Sequence, residues 1–206
     1  MTHTPINMTR RSFLTASGAS LAGLLLSTRP AVAAMHRYGL TASSSTVGFQ
    51  FTLAGATQTG TMPISQADIR IDTSNLVRSS VDVSVAVNKA RTGLALATDA
   101  LKGPDVLDAA RFPSIRFVST KVTLGPGGRI SDGATLTGNL TVRNVTKPVT
   151  FAANIYRPAG SGADDLNSLS VRLTGAISRT AFGATGYSDL VADRITLDIR
   201  AAIQKS

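Results

Sequence analysis

Across residues 46–203, apolar and polar side chains alternate in one stretch after another. The last stretch sets Ile195, Leu197, Ile199, Ala201 and Ile203 on one side against Arg194, Thr196, Asp198 and Arg200 on the other. A period of two belongs to the β-strand, whose successive side chains point to opposite faces of a sheet. One face is apolar and the other is wetted, so the sheet has to wrap its apolar face around something. Short connections favour antiparallel neighbours, and an antiparallel up-and-down β-barrel of about eight strands wraps the pattern without leaving an edge. A two-sheet sandwich buries the same alternation. Periodicity alone does not separate the two, and the barrel is the expected fold.

Within 45–53, Val47, Phe49, Phe51 and Leu53 share a face. A weaker strand over 57–62 ends at Pro63, and 67–72 supplies Ile69 and Ile71. Val81, Val83, Val85 and Val87 line one side of 80–88. The period then changes. Residues 93–110 are rich in Ala and Leu and predict a short helical insert, broken at Gly103-Pro104, with Pro104 in the first turn of a second short helix. Strand character returns over 114–124 with Ile115, Phe117, Val122 and Leu124, and the phase slip between Phe117 and Val122 predicts a bulge.

Leu140 and Val142 close the next strand, residues 144–147 turn the chain, and Pro148 opens a strand carrying Phe151, Ala153 and Ile155. Val171 and Leu173 belong to 168–178, and an irregular segment from 180 to 189 contains Phe182. The expected lumen set is therefore Phe49, Phe51, Leu53, Val83, Val85, Ile115, Phe117, Leu140, Val142, Phe151, Ile155, Val171, Leu173, Phe182, Leu197 and Ile199. Small barrels are often filled by such side chains, so the pattern leaves a plugged and a hollow interior both open. Aromatics are only 5% of the chain and Trp is absent, which favours space.

The first segment reads as an address. Thr9-Arg10-Arg11-Ser12-Phe13-Leu14 is a twin-arginine pattern, 16–26 is an apolar run of small residues, and Ala31-Val32-Ala33 is a small-x-small cleavage site. The run is too short to cross the roughly 30 Å of a bilayer core. Residues 1–33 are expected to be a cleaved export signal and 34–206 a single domain in a bacterial periplasm, with an uncleaved anchor as the competing reading. Loss of Arg10, Arg11 and Arg29, with no acid, takes the net charge from +9 to +6. No basic run interleaved with aromatics accompanies that charge, so nucleic acid is not an expected partner.

The only histidines are His3, in the expected signal, and His36, beside the expected new N-terminus, and the chain has neither Cys nor Glu. That removes Ser-His-Asp and Cys-His nucleophiles, HExxH sites and Cys-rich zinc sites. Asp99, Asp105 and Asp108 leave paired-carboxylate acid/base work formally open, with helix capping and solvation near Pro104 as the plainer reading. The chain is expected not to be an enzyme and to hold no metal or cofactor.

Three segments carry a resemblance. They are Gly138-Asn139-Leu140-Thr141-Val142-Arg143-Asn144-Val145-Thr146-Lys147-Pro148-Val149, then Phe112-Pro113-Ser114-Ile115-Arg116-Phe117, then Arg179-Thr180-Ala181-Phe182-Gly183. Together they resemble the YceI-like family of polyisoprenoid-binding proteins, with Asn144 at that family's usual glycine. The resemblance implies a lipocalin-like barrel whose lumen takes a long apolar chain, such as a prenyl-quinone, another isoprenoid lipid or a fatty amide.

Burying one methylene is worth roughly 0.8 kcal/mol, whereas an exposed ion pair contributes about 0–1 kcal/mol. The lumen would set affinity and rim cations would at most select a head group. Arg91, Lys102 and Arg179 flank the irregular segments and are the candidates for that contact, with solvated surface charge as the plainer reading. The expected function is a non-catalytic carrier of an apolar lipid. The alternative is a module that docks on an inner-membrane partner, such as a cytochrome, without lipid. A homodimer is compatible with either.

Overall fold

The computed structural model describes residues 35–128, 132–162 and 165–206. The twin-arginine pattern and the cleavage site lie outside the described residues. Eleven strand segments and one helix follow in order: β1 (Met35–Leu40), β2 (Thr46–Leu53), β3 (Ala56–Met62), β4 (Ile64–Asp72), β5 (Ser80–Ala86), β6 (Arg91–Thr92), α1 (Ala95–Lys102), β7 (Ser114–Leu124), β8 (Ala134–Val142), β9 (Val145–Tyr156), β10 (Ser168–Ser178) and β11 (Arg194–Lys205).

The segments pair antiparallel throughout and close on themselves through β1 and β11. Six segments are halves of three long strands. β11 pairs with β1 at one end, where Leu40 faces Ile203, and with β2 at the other, where Val47 faces Ile199. β1 and β2 are thus one strand broken at 41–45. β3 and β4 are one strand broken at Pro63, because β3 pairs with β2 and β4 with β1. β5 and β6 continue each other around a 3-10 turn at Val87–Lys89, β5 pairing with β4 and β6 with β3. Counted this way the fold is the expected closed eight-stranded up-and-down barrel with one short helix.

The breaks keep their backbone groups paired. The Ser45 hydroxyl donates to Thr41 O (2.8 Å) and accepts from Ala202 N–H (3.0 Å), which bridges the gap between β1 and β2. Ala86 N–H donates to Pro63 O across the second break (3.0 Å), and Val87 N–H donates to Pro113 O (2.9 Å).

Beyond the breaks β6 pairs only with β3 among the described residues, whereas β7 first meets this wall at Ala86. The wall is therefore split between β6 and β7 at its upper end. The helical insert, which connects those two strands, sits against the split. Leu107 from it is buried in the core, and Leu101, Val106 and Ala109 pack beside it.

The insert differs from expectation. It is helical only over Ala95–Lys102, and the second short helix after Pro104 does not form. The chain makes consecutive turns there, with Asp108 in a left-handed conformation (φ 50°). The Arg143 guanidinium donates to the carbonyls of Pro104 (2.8 Å) and Val106 (2.6 Å) from outside the insert. β9 likewise begins at Val145 rather than Pro148. Arg143 and Asn144 take φ of 50° and 62°, so the two residues alone make the hairpin turn. β1 is a strand the alternation did not indicate, since only Tyr38 and Leu40 keep the pattern in it. The predicted bulge is present, where the register of β7 against β8 shifts between Ser119 and Lys121.

The outward face carries Arg–Asp pairs in place of Lys–Glu pairs. Arg116 grips Asp82 through both oxygens (2.9 and 2.6 Å) and Arg172 grips Asp198 (2.9 and 3.0 Å). These hydrogen bonds hold both carboxyls below the usual carboxylate range, and Arg70 does the same to Asp68. At the lower end Asp72 is fully buried. Its Oδ1 accepts from Ser74 Oγ (2.6 Å) and from the N–H groups of Ser74 (3.0 Å) and Asn75 (2.9 Å), bonds that also lower its pKa.

All of these folded-state values lie below the unfolded 3.8, so the native protein binds fewer acid protons than the unfolded chain. Their stabilisation is fully present above that value and is lost as pH falls below it. Urea midpoints are expected to be flat from about pH 7 to about pH 5 and to drop below about pH 4. Asp72→Asn should remove more of that acid dependence than Asp68→Asn, because Asp72 is enclosed.

Candidate ligand cavity

The barrel is hollow. A cavity of about 890 Å³ runs through its interior. Two buried clusters bracket it. An upper one includes Phe49, Phe117, Phe151 and Phe182, and a lower one includes Tyr38, Ile69, Leu169 and Ile203. The lower cluster is tied by the Tyr38 hydroxyl, which donates to Leu166 O (2.7 Å). Several inward side chains, among them Phe51, Val83, Ile115 and Leu173, are only half-buried. They line the cavity, so the surface they retain faces its empty interior.

Three rings decide how much room is left. Phe49 faces Gly60 across β2 and β3, and a Cβ on Gly60 would overlap the end of that ring. A Cβ on Gly138 would stand 2.5 Å from Phe117 Cζ, and one on Gly175 would stand 2.6 Å from Phe151 Cδ1. Carbon contacts need roughly 3.5–4.0 Å. Each ring therefore lies along the wall, over a glycine of the neighbouring strand, instead of projecting to the axis. Phe117 and Phe151 also meet edge to face, with centroids 5.5 Å apart.

All sixteen expected lumen residues line this one cavity. Among the described residues only Ser79, Arg179 and Tyr187 bring polar side chains to its wall. Arg179 is 6% exposed and already engaged. Its guanidinium donates to the carbonyls of Ala184, Gly186 (2.8 Å), Val191 (2.9 Å) and Ala192 (3.3 Å). It pins the segment after β10 across the upper end instead of presenting a charge to the lumen. Asp193 anchors the same segment from its far side, accepting from Thr180 N–H (2.9 Å) and Thr180 Oγ (2.6 Å).

Arg91 and Lys102 do not reach the cavity. With Lys89 they line a separate outer groove beside the aligned strand breaks, together with Ser45, Thr46, Thr61, Pro63 and Asn88. Sequence reasoning also missed the upper rim. Among the lining residues only Leu94, Ala95, Leu96, Tyr187 and Leu190 are exposed, so the cavity opens to solvent between α1 and the pinned segment. Leu94 and Leu96 were visible only as part of an Ala/Leu-rich helix. Arg143 was visible only as a turn residue, and its reach into the insert depends on tertiary placement. Among the described residues no cluster of His or acidic side chains could hold a metal ion.

A YceI-like domain model matches residues 38–203. The chain belongs to the YceI-like family. Protein YceI of Salmonella arizonae is 30% identical over 189 residues, 91% of this chain and 90% of the relative. The crystal structure of Burkholderia cenocepacia BcnA has a TM-score of 0.67 at 19% identity, covering 80% of this chain and 99% of that one. A polyisoprenoid binding domain from Saccharophagus degradans has a TM-score of 0.60 at 11% identity, covering 83% and 99%. At such identities the two structures speak to the fold.

The YceI-like motifs now have physical roles. In the last, Arg179 is the pin, Phe182 is a buried cavity residue, and Gly183 takes the left-handed φ of 77° that turns the chain. In the aromatic-Pro segment, Ile115 and Phe117 point inward while Phe112 lies under the guanidiniums of Arg111 and Arg143 (5.2 and 5.9 Å).

Two substitutions test this architecture. Gly60→Ala should cost about 1–3 kcal/mol in chemical denaturation, as overpacking does, and a crystal structure of it should show the Phe49 ring turned into a smaller cavity. Arg179→Met strands buried carbonyls and should cost about 2–4 kcal/mol, with hydrogen exchange accelerated selectively over 184–192.

Proposed function

We propose that this chain is a non-catalytic, periplasmic binding protein that carries one long apolar lipid of isoprenoid type in its barrel. The observation that carries the reading is the cavity itself: about 890 Å³, lined by aliphatic and aromatic side chains, with its most basic neighbour already bonded to backbone carbonyls. That volume lies near the top of the range of roughly 300–1,000 Å³ for small-molecule sites. At roughly 0.8 kcal/mol per methylene, a tail of several isoprene units gains enough to hold the ligand after the costs of ordering it.

Membership of the YceI-like family and the fold shared with the polyisoprenoid binding domain from Saccharophagus degradans support an isoprenoid over a compact ligand. The twin-arginine pattern at Arg10-Arg11 supports export. Ser79 and Tyr187 are the other polar lining residues, and Ser79 Oγ already accepts from Asp72 N–H (3.1 Å), so the wall suits a ligand whose only polar group is a small head. The barrel has no Cys or Glu, and its one His, His36 in β1, does not line the cavity, which supports binding without chemistry.

Mass spectrometry of organic extracts from the natively purified protein is expected to return an isoprenoid lipid at a fixed ratio to protein. Leu173→Trp, which fills part of the cavity with an indole, should weaken uptake of an apolar fluorophore by at least about tenfold while leaving thermal stability equal or higher. An extract free of lipid, together with no fluorophore uptake by the parent protein, would sink the reading.

A further inference from the structure

Seven large apolar side chains are exposed among the described residues, and they gather at the two ends of the barrel. Met35, Val77 and Tyr156 are at the lower end and none of them lines the cavity. Leu94 (46% exposed), Leu96 (86%), Tyr187 (49%) and Leu190 (54%) are at the upper end, and all four line its mouth. Leu94 and Leu96 come from the start of α1. Tyr187 and Leu190 come from the segment pinned by Arg179, which also bonds to the tip of β2 through Leu190 O and Ala54 N–H (2.8 Å). Tyr187 is held at φ 58°, so its half-exposed ring is kept at the rim by a backbone conformation that a tyrosine rarely adopts.

The cations of the outer groove lie on the Leu94–Leu96 side of this rim, below it along the wall, where Arg91 pairs with Thr61 of β3. Arg91 precedes Leu94 by three residues, and Lys102 ends α1, roughly 9 Å along the helix from Leu96 at 1.5 Å per residue. None of Lys89, Arg91 and Lys102 is paired with a carboxylate among the described residues, whereas Arg70, Arg116 and Arg172 of the outer wall grip Asp68, Asp82 and Asp198. The rim itself carries Asp99 and Asp189 and is not basic. Apolar insertion and cationic attraction therefore come from adjacent, separate places.

We propose that the mouth of the barrel docks on an anionic phospholipid bilayer, with Leu94, Leu96, Tyr187 and Leu190 entering the interface and Lys89, Arg91 and Lys102 meeting lipid phosphates. Tyrosine, with an apolar body and a polar tip, suits that depth, and basic residues near an anionic surface add attraction. Docked this way, the open end faces the phase in which long-chain lipids reside, and a ligand passes from bilayer to cavity without crossing water. The inference extends the carrier reading and rests on it for its purpose, but its test stands alone.

The probe is vesicles of phosphatidylglycerol mixed with phosphatidylcholine, against phosphatidylcholine alone, using the full chain. Residues 1–34 are common to parent and variants, so differences report the folded surface. The parent is expected to cosediment with the anionic vesicles in a salt-sensitive manner. Lys89→Gln/Arg91→Gln/Lys102→Gln should lower its partition by at least about tenfold, and Leu96→Ser should lower it as well.

Equal partition of the triple variant and the parent, or equal binding to neutral vesicles, overturns the proposal. So does a Leu96→Ser variant that turns a dimer into a monomer in sedimentation velocity without changing vesicle binding, since the rim is then a protein interface. Fluorophore uptake without vesicles separates the two ideas. The triple variant should load like the parent, because none of its three positions lines the cavity. A parent that fails to load defeats the carrier reading and leaves the vesicle result to be judged by itself.

Discussion

Three phenylalanine rings have to lie flat on the barrel wall for its centre to stay open. An eight-stranded barrel is just wide enough for its own side chains to fill it, so the direction of a few large rings decides between a plugged interior and a hollow one. Phe49, Phe117 and Phe151 each find a glycine on the adjacent strand, and the space where a Cβ would be is occupied by the ring. The aromatic face covers backbone that would otherwise be bare, and the axis is left to shorter aliphatic side chains. The cavity follows from that seating together with the absence of Trp.

The upper end is built differently from the lower. Below, β1, β4, β5 and β7 pair in sequence and the wall is continuous. Above, the wall splits between β6 and β7, and two covering segments replace strand pairing. An arginine acting on backbone carbonyls ties each of them, Arg143 the insert and Arg179 the segment after β10, the latter held also by Asp193 and by the bond from Ala54 N–H to Leu190 O. Burying the Arg179 charge costs desolvation, and several carbonyl acceptors at once offset it.

Polar chemistry is kept away from the lumen. The Arg–Asp pairs lie on the outer face, where exposed ion pairs contribute about 0–1 kcal/mol and serve solubility and register more than stability. The inner wall offers hydrocarbon over most of its length. Such a site discriminates by length and flexibility of a chain much more than by its head group, since each added methylene is worth roughly 0.8 kcal/mol and few polar partners are present to reject a mismatch.

Which residues face inward was legible in the sequence, because the two-residue period is a local property of the pleated backbone and needs no knowledge of the partner strand. That is why Phe51, Val83, Leu173 and Ile199 could be assigned to the lumen from spacing alone. The closed ring was less legible, since six of the segments are half-strands whose breaks at 41–45, Pro63 and 87–89 look like ordinary turns in the chain. What only the tertiary structure decided depends on pairs far apart in sequence. Gly138 makes room for Phe117, Arg143 reaches Val106, Arg179 spends its donors on Gly186 and Val191, and Arg91 and Lys102 fall outside the wall. Alternation says which way a side chain points. Register and closure say what it meets there, and a hollow centre is a matter of what it meets.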